Sequence, residues 1–416
     1  MKAQRFFIIA LFMIVSLTTI IIGCKYDVAE PLWSSPPSST AEATITSVVP
    51  AQAPPGVNYI TIYGTNFTGV TDTSLIHILN TGLDTNMVYQ GVYFDKVLAE
   101  IIESSSTFVK VRRPNLTTEN CTVKVIPNKA YVGASAPFGK IDTVVEAYGA
   151  FLDNVSLSVV AVDSAENLYV VETSSSHSVY KITPTGQKTK LGGGATRTPT
   201  DARIGPDGRL YLPGKNAKID VVNVTTGVVA TWTTLPSAPA VKFGDFGANG
   251  YFYTGGLFTD LIIVAPNPPL TNPPVTKSGV YATSDILAIR VANGYLYIAA
   301  KKGTNTSIWK HLISAGVNQA SQELVLDWSS TGQFATRTIK NIAISADGTL
   351  YIGTADLSPI LIVTTQGVDF FYKGILPDYC QNFAWGSGNF LYMISGNAVP
   401  AQKWIIYRVD MGAHAQ

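Results

Sequence analysis

The four histidines of this 416-residue chain are the side chains best suited to acid–base or metal chemistry, yet they form no catalytic pattern. They stand far apart, at His77, His177, His311 and His414. The cysteines are equally scattered, at Cys24, Cys121 and Cys380. Structural zinc sites hold their cysteine and histidine ligands at close, regular spacings. We therefore expect no catalytic residue, no metal site and no cofactor.

Basic residues offer a second kind of chemistry, the binding of anionic groups. The tetrapeptide Ala-Thr-Arg-Thr occurs twice and contains Arg197 and Arg337. Lys215, Lys301 and Lys302 fall in comparable polar stretches, and charge-assisted hydrogen bonds from such side chains suit anions. The alternative is that Thr and Arg of each tetrapeptide stabilise their own loop through hydrogen bonds to the backbone.

Aromatic side chains offer a third kind of chemistry, because rings beside planar polar groups are suited to sugars. By residue type, the candidates are Trp309, Tyr379, Trp232 and Trp328. The simpler interpretation of each is packing within a strand, since the chain has 20 tyrosines and 6 tryptophans. We keep Trp309 and Tyr379 as binding candidates beside the basic residues.

A repeat must position all of these side chains. A Leu-Tyr or Phe-Tyr pair recurs six times, usually just after a polar turn such as Asp207-Gly208, and ends at Tyr169, Tyr211, Tyr253, Tyr297, Tyr351 and Tyr392. A period near 40 residues with a hairpin in each copy is typical of four-stranded propeller blades. The turn residues need no catalytic role, because Asp-Gly and Asn-Gly favour tight turns. The repeat resembles NHL-type propellers and predicts a six-bladed β-propeller over residues 141–412.

The six copies can be compared at the position seven residues before each tyrosine. Five of them are bulky and apolar, as packing between blades requires: Val162, Ile204, Phe246, Ile344 and Trp385. The exception is Arg290 in the fourth copy. Either that strand slips by one residue, or a charge lines the channel.

The last copy is one strand short, and a ring needs closure to remove its sheet edges. The strand that would complete it is Thr143–Tyr148, just ahead of the first blade. We predict that it pairs with the strand Trp404–Val409. The step from Tyr297 to Tyr351 is longer than the others, and such an insertion on a regular scaffold is often where binding resides.

Residues 42–140 read as a small β-sandwich, because short alternating runs are separated by Gly, Pro and Asn. They resemble the immunoglobulin-like IPT/TIG domain through Pro50, Gly56, the stretch Ile60–Phe67 and Val92–Phe94. We interpret Val70–Tyr89 as an inserted loop. The whole chain is thus predicted to be all-β. Since Cys121 and Cys380 fall in different domains, we expect buried thiols rather than a disulfide.

The first 23 residues form a charged start and an apolar run typical of a signal peptide. Cys24 follows Gly23 as in a bacterial lipobox, which implies acylation of Cys24, with residues 24–41 as a Ser/Pro-rich tether. An uncleaved helical anchor is the alternative. Lys25 after the cysteine favours outer-membrane sorting. We expect a lipid-anchored protein of the outer membrane or cell surface.

Resemblance to propeller enzymes adds no catalytic site. Streptogramin lyases use histidine with magnesium, but no second histidine follows His177 at short spacing. Lactonase-type propellers use a channel metal site, and we find no carboxylate at matching inner positions. A net charge of +1 with 14% charged residues gives no footprint for nucleic acid.

The build resembles that of surface glycan-binding lipoproteins of Bacteroidota, which implies a glycan ligand. We expect the ligand on the propeller face formed by the loops that join strands two to three and strand four to the next strand one. A surface protein partner, and a lyase or lactonase, remain the alternatives.

Overall fold

A computed structural model describes residues 41–416, apart from the segments 68–69, 71–90, 128–132, 152–154, 174–175, 193, 215–216, 236–240, 258–259, 267–272, 397–403 and 416. Several predictions lie outside the described residues: the signal peptide, Cys24, nearly all of the tether, Lys215, and nearly all of the expected loop Val70–Tyr89. Within the described part of the chain, no helix is long and apolar enough to cross a membrane.

The first domain is the predicted sandwich of two four-stranded antiparallel sheets. Alternation places Ile60 and Ile62 of one sheet against Val123 and Val125 of the other, all fully buried, so one side chain in two fills the core. One sheet contains β1 (Thr44–Val49), β2 (Tyr59–Thr65), β5 (Ile101–Ser104) and β6 (Phe108–Arg112). The other contains β3 (Gly91–Phe94), β4 (Val97–Ala99), β7 (Cys121–Ile126) and β8 (Ala134–Phe138).

Six four-stranded antiparallel sheets follow as the blades of a propeller. Blade one contains β10 (Leu157–Val162), β11 (Leu168–Glu172), β12 (Val179–Ile182) and β13 (Lys188–Lys190). Blade two contains β14 (Arg203–Ile204), β15 (Leu210–Pro213), β16 (Lys218–Val222) and β17 (Val229–Thr234). Blade three contains β18 (Val241–Phe246), β19 (Phe252–Gly256), β20 (Ile262–Val264) and β21 (Val275–Lys277). The all-β prediction of a sandwich followed by a six-bladed propeller is therefore confirmed.

Blade four contains β22 (Asp285–Ala292), β23 (Tyr295–Lys302), β24 (Asn305–Leu312) and β25 (Gln322–Asp327). Blade five contains β26 (Ile339–Ile344), β27 (Leu350–Thr354), β28 (Ile360–Thr364) and β29 (Gly367–Phe370). Blade six combines β30 (Cys380–Trp385), β31 (Phe390–Ser395) and β32 (Ile405–Asp410) with β9 (Val145–Tyr148). Among the described residues, short 3-10 turns occur only in the long blade four and the loop after it, at Ile313–Ala315, Gln319–Ser321, Trp328–Ser330 and Gly332–Phe334.

A side-chain hydrogen bond explains why a turn carboxylate and a tyrosine recur together in the hairpins of the repeat. In blade two, the Tyr211 hydroxyl donates to Asp207 Oδ2 at 2.8 Å, and Asp207 Oδ1 accepts the Arg209 N–H at 3.1 Å. Gly208 between them has φ of 74°, which favours glycine. Tyr169 repeats the bond in blade one, donating to Asp163 at 3.0 Å. These turn carboxylates are thus used by the hairpins, as predicted.

Ring closure follows the prediction as well. The pair β9 and β32 is antiparallel, with Val145 opposite Val409 and Tyr148 opposite Ile406. In blade four the strand slip is also confirmed, because Arg290 faces Tyr297, and Val291 takes the place filled elsewhere by residues such as Ile344. Cys121 and Cys380 are buried free thiols.

A polar network joins the sandwich to blade five. The Arg112 guanidinium pairs with Glu100 at 2.9 Å and with Asp369 at 2.7 Å, and Lys373 reaches the other oxygen of Glu100 at 2.7 Å. Asn58 Nδ2 donates to the Phe370 carbonyl at 2.8 Å, and Asn58 Oδ1 accepts the Tyr372 N–H at 3.1 Å. The two domains therefore meet through matched donors and acceptors.

Candidate functional site

Blade four carries a groove on one face of its sheet. Lys302 of β23 and Asn305, Ser307 and Trp309 of β24 line a cavity of about 480 Å³. The three β24 residues alternate, and Lys302 lies directly opposite Asn305, so all four side chains project from one sheet face. We call this surface the blade-four groove.

The opposite wall of the blade-four groove comes from two connections. Tyr281 and Ser284 belong to the loop that leads from β21 into β22, and Gln319 and Gln322 bracket a 3-10 turn before β25. The strands β22, β23 and β24 have eight residues each, the longest in the propeller. The extra length of blade four thus builds the groove.

His311 holds that wall in place. It is fully buried, its Nε2 shares a hydrogen bond with the Tyr281 hydroxyl at 2.8 Å, and its Nδ1 shares one with the Ser321 hydroxyl at 3.0 Å. Burial lowers the pKa of His311 to about 4, so the ring is neutral near pH 7. Gln322 Nε2 donates to the same Tyr281 oxygen at 3.3 Å. His311 is a positioning residue beneath the groove.

The groove unites two of the predicted binding residues, Lys302 and Trp309. Lys301 is the exposed neighbour of Lys302 on β23, and its side chain projects from the other face of the sheet. Tyr379 lies in the loop before β30, where its N–H donates to the Asp356 carbonyl at 3.1 Å. Trp328, a candidate by type, is buried and donates its indole N–H to a carbonyl at 3.2 Å.

The paired tetrapeptides are tied to neighbouring segments of the propeller. Arg337 donates to the Leu357 carbonyl at 2.9 Å, and its guanidinium lies 4.9 Å from the centre of the Phe370 ring. In the other tetrapeptide the Thr196 N–H donates to Asp220 at 3.1 Å, and Arg197 Nε donates to the Thr196 hydroxyl at 3.2 Å. One tetrapeptide precedes blade two and the other precedes blade five, so they lie across the ring from each other. The contacts are structural, as the alternative interpretation expected, but they join each tetrapeptide to other segments as well as to its own loop.

The central channel contradicts the expectation that no carboxylate occupies an inner position of the propeller. Carboxylates do occupy inner positions, since Asp245 lines a central cavity of about 300 Å³ and the fully buried Asp201 lies beside it. Arg203 and Arg290 line the same cavity, so the strand slip and the channel charge at Arg290 are both real. Arg290 was named in advance, but Asp201, Arg203 and Asp245 were not, because the position chosen in the other blades faces the Leu or Phe before each tyrosine and packs between blades.

A position one residue earlier in blades two and three would have revealed Arg203 and Asp245. The inner residue that pairs with each repeat tyrosine is, in blade order, Ala161, Arg203, Asp245, Arg290, Ala343 and Ala384. Charged side chains thus come from blades two to four and alanines from blades five, six and one. In the part of the chain that the structure describes, no group of three or more His, Cys, Asp or Glu residues is placed to hold a metal ion.

Comparison with solved structures shows similarity at low sequence identity. An auxiliary nutrient binding protein from Bacteroides ovatus is 12% identical with a TM-score of 0.44, covering 90% of this chain and 98% of that one. A structural genomics protein of unknown function from Bacteroides thetaiotaomicron is 12% identical with a TM-score of 0.45, covering 88% and 98%. A streptogramin B lyase is 11% identical with a TM-score of 0.46, covering 64% and 96%.

Similarities this distant assign neither ligand nor activity to this chain. A search of curated proteins gave no match. Residues 43–140 match the IPT/TIG domain family, so the sandwich is a domain of that type.

Proposed function

We propose that this protein is a lipid-anchored binding protein of the outer membrane or cell surface, and that it recognises a glycan through the blade-four groove. The observation that carries the proposal is the composition of that groove. A tryptophan, a tyrosine, amide side chains and hydroxyls line one cavity, and Lys302 stands at its edge. Pockets of this size with a few placed polar groups suit small ligands or the residues of a chain.

The chemistry of a sugar matches that lining. Its apolar ring face packs on an aromatic side chain such as Trp309, and its hydroxyls pair with amides and hydroxyls such as Asn305, Ser307 and Gln319. Lys302 adds a cation that would favour a glycan with acidic groups. The groove includes the hairpin between strands two and three of blade four, which belongs to the face expected for ligand binding.

The proposed role is recognition rather than catalysis. His311 is committed to Tyr281 and Ser321 through both ring nitrogens, and its lowered pKa leaves it uncharged at neutral pH. His177 belongs to blade one, away from the blade-four groove. We propose no catalytic residue and no cofactor, and no nucleic-acid partner.

A glycan-array screen of the protein, followed by titration of the best hit, tests the proposal. We expect Trp309→Ala to weaken binding by a factor of about 30, the usual cost of truncating a central interface tryptophan. Tyr251→Ala is the matched control, because Tyr251 is an exposed ring of blade three outside the groove. No binding across a broad panel would reject the glycan and favour a protein partner, and equal loss in both variants would reject the blade-four groove as the binding site.

The proposed anchor needs its own test, because Cys24 precedes the described residues. Cells supplied with labelled palmitate should label the wild-type chain and not Cys24→Ser. Cys121→Ser is the control, since that thiol is buried within the sandwich. Label that persists in the Cys24→Ser variant would refute acylation at this position.

A further inference from the structure

The channel cavity is a second place where a ligand fits, and it is distinct from the blade-four groove. It lies between the inner strands, toward the end where each turns into the second strand. That end is opposite the loop face expected for binding. Blades five, six and one each contribute an alanine to the lining, and the charged side chains of blades two to four form the facing wall.

The charged wall contains two arginines and two aspartates, and the ion pairs between them are long. Arg203 Nη1 lies 3.2 Å from Asp201 Oδ1, and Arg203 Nε lies 3.5 Å from Asp245 Oδ1. Arg290 Nη1 lies 3.5 Å from Asp201 Oδ2, and its Nη2 donates to Asn341 Oδ1. Asp201 and Asp245 also accept backbone N–H groups, so the two arginines are not their only partners.

One guanidinium nitrogen is left over. Arg203 Nη2 is buried and has no hydrogen-bond partner among the described residues. A buried donor without an acceptor costs about 1–3 kcal/mol, and more when it carries charge. Nη2 itself is closed off from the cavity, but Arg203 lines it, so turning the guanidinium toward an acceptor placed there would relieve that cost.

The remaining lining defines the body of the ligand. Around the cavity stand bulky apolar side chains, one from each blade: Val162, Ile204, Phe246, Val291, Ile344 and Trp385. A ligand whose head is anionic and whose body is apolar would match this wall and this surround.

The C-terminal tail limits the size of the ligand. Ala415 lines the cavity, and its N–H donates to the Gly388 carbonyl of blade six at 3.2 Å. The His414 carbonyl accepts the Ala346 N–H of blade five at 3.0 Å. The tail thus crosses the alanine half of this end of the channel.

We propose that the channel cavity binds a small organic carboxylate with an apolar body, whose carboxylate accepts hydrogen bonds from Arg203. The proposal does not depend on glycan binding, because the two sites share no lining residue. Benzoate is a suitable probe, since it joins a carboxylate to a compact ring, and benzamide is its uncharged counterpart.

Isothermal titration of the protein with sodium benzoate tests the proposal. We expect saturable binding to one site, binding of benzamide weaker by about tenfold or more, and a similar loss in Arg203→Gln, because the charge-assisted hydrogen bond is removed. Arg197→Gln is the matched control, since Arg197 lies outside the cavity, and it should bind benzoate like the wild type.

Ala384→Leu is a second variant that keeps every charge and fills the alanine half. If Arg203→Gln fails to fold, this variant still decides the question, with folding checked by circular dichroism. We expect folded Ala384→Leu to lose benzoate binding. Absence of benzoate binding by the wild type, equal affinity for benzamide, or unchanged affinity in Ala384→Leu would each overturn the proposal.

Discussion

Two arginine–carboxylate clusters occupy similarly buried places in this molecule and differ in how their donors are used. At the domain interface, Arg112 is 9% exposed, and each guanidinium nitrogen has a partner: Glu100, Tyr59 with the Phe370 carbonyl, and Asp369. In the channel, Arg203 is 11% exposed and one nitrogen has no partner among the described residues.

The surroundings differ in the same sense. The Arg112 guanidinium lies 5.4 and 5.6 Å from the centres of the Tyr59 and Phe370 rings. Arg203 faces open space bordered by alanines. A fully paired buried arginine fixes two surfaces against each other, whereas a partly paired one beside a void is available to a ligand.

The largest effect should come from breaking the interface cluster. Arg112→Met removes the charge but keeps much of the side-chain volume, and it leaves Glu100 and Asp369 with fewer partners. Removing one member of a buried pair costs about 3 kcal/mol. Urea unfolding of the whole chain should show this loss in free energy of unfolding. A loss below that of Lys373→Gln would mean that the network does not join the domains.

The channel cluster should instead respond to pH. Burial raises the pKa of Asp245 to about 6, so the folded protein binds a proton there that the unfolded chain releases. Ionising Asp245 in the folded protein therefore lowers the free energy of unfolding. This loss is absent below the pKa of the unfolded chain, grows as the pH rises toward 6 and is complete above it.

The variant Asp245→Asn isolates that effect. Relative to Asp245→Asn, the wild type should gain about 1 kcal/mol of stability between about pH 7 and about pH 5. Thermal or urea unfolding of both proteins at the two pH values measures the difference. Parallel pH profiles would show that Asp245 does not titrate in this range.

The smallest effect belongs to the edge of the interface. Lys373 pairs with Glu100 at 2.7 Å, but both side chains are about one-third exposed. Solvent-screened pairs contribute about 0–1 kcal/mol. Lys373→Gln should therefore change the urea midpoint little, and its effect should shrink further at high salt. If Lys373→Gln lowered the free energy of unfolding as much as Arg112→Met, the exposed pair would contribute as much to the interface as the buried one.

The sequence predicted the ring well because each hairpin carries its own local signal. Asp207-Gly208 and Tyr211 lie within five residues and make their hydrogen bond inside the hairpin. Closure by Thr143–Tyr148 was predictable because the last copy lacked a strand. The groove was predicted in part, through Lys302 and Trp309, because the blade-four insertion breaks the period.

The channel cluster was not predicted, because its members are brought together only by the radial arrangement of the blades. Arg203, Asp245 and Arg290 are more than 40 residues apart along the chain and read locally as polar strand residues. The fourth hairpin has four residues between Val291 and Leu296, against five in blade two between Ile204 and Leu210, so alignment on the tyrosine displaced Arg290. The contacts of Arg337 with Leu357 and Phe370 were likewise invisible in sequence.

The pairing of β9 with β32 in blade six has a consequence for biosynthesis. Because Val145 pairs with Val409, the ring joins the strand β9 to a strand that is made much later, β32. A nascent chain that stops before Ile405 holds β9 without its partner and exposes unpaired edges at both ends of the incomplete ring. Long-range pairing of this kind is slow to form. The propeller is therefore completed only after β32 has been made, and products that end before it should be targets for quality-control proteases.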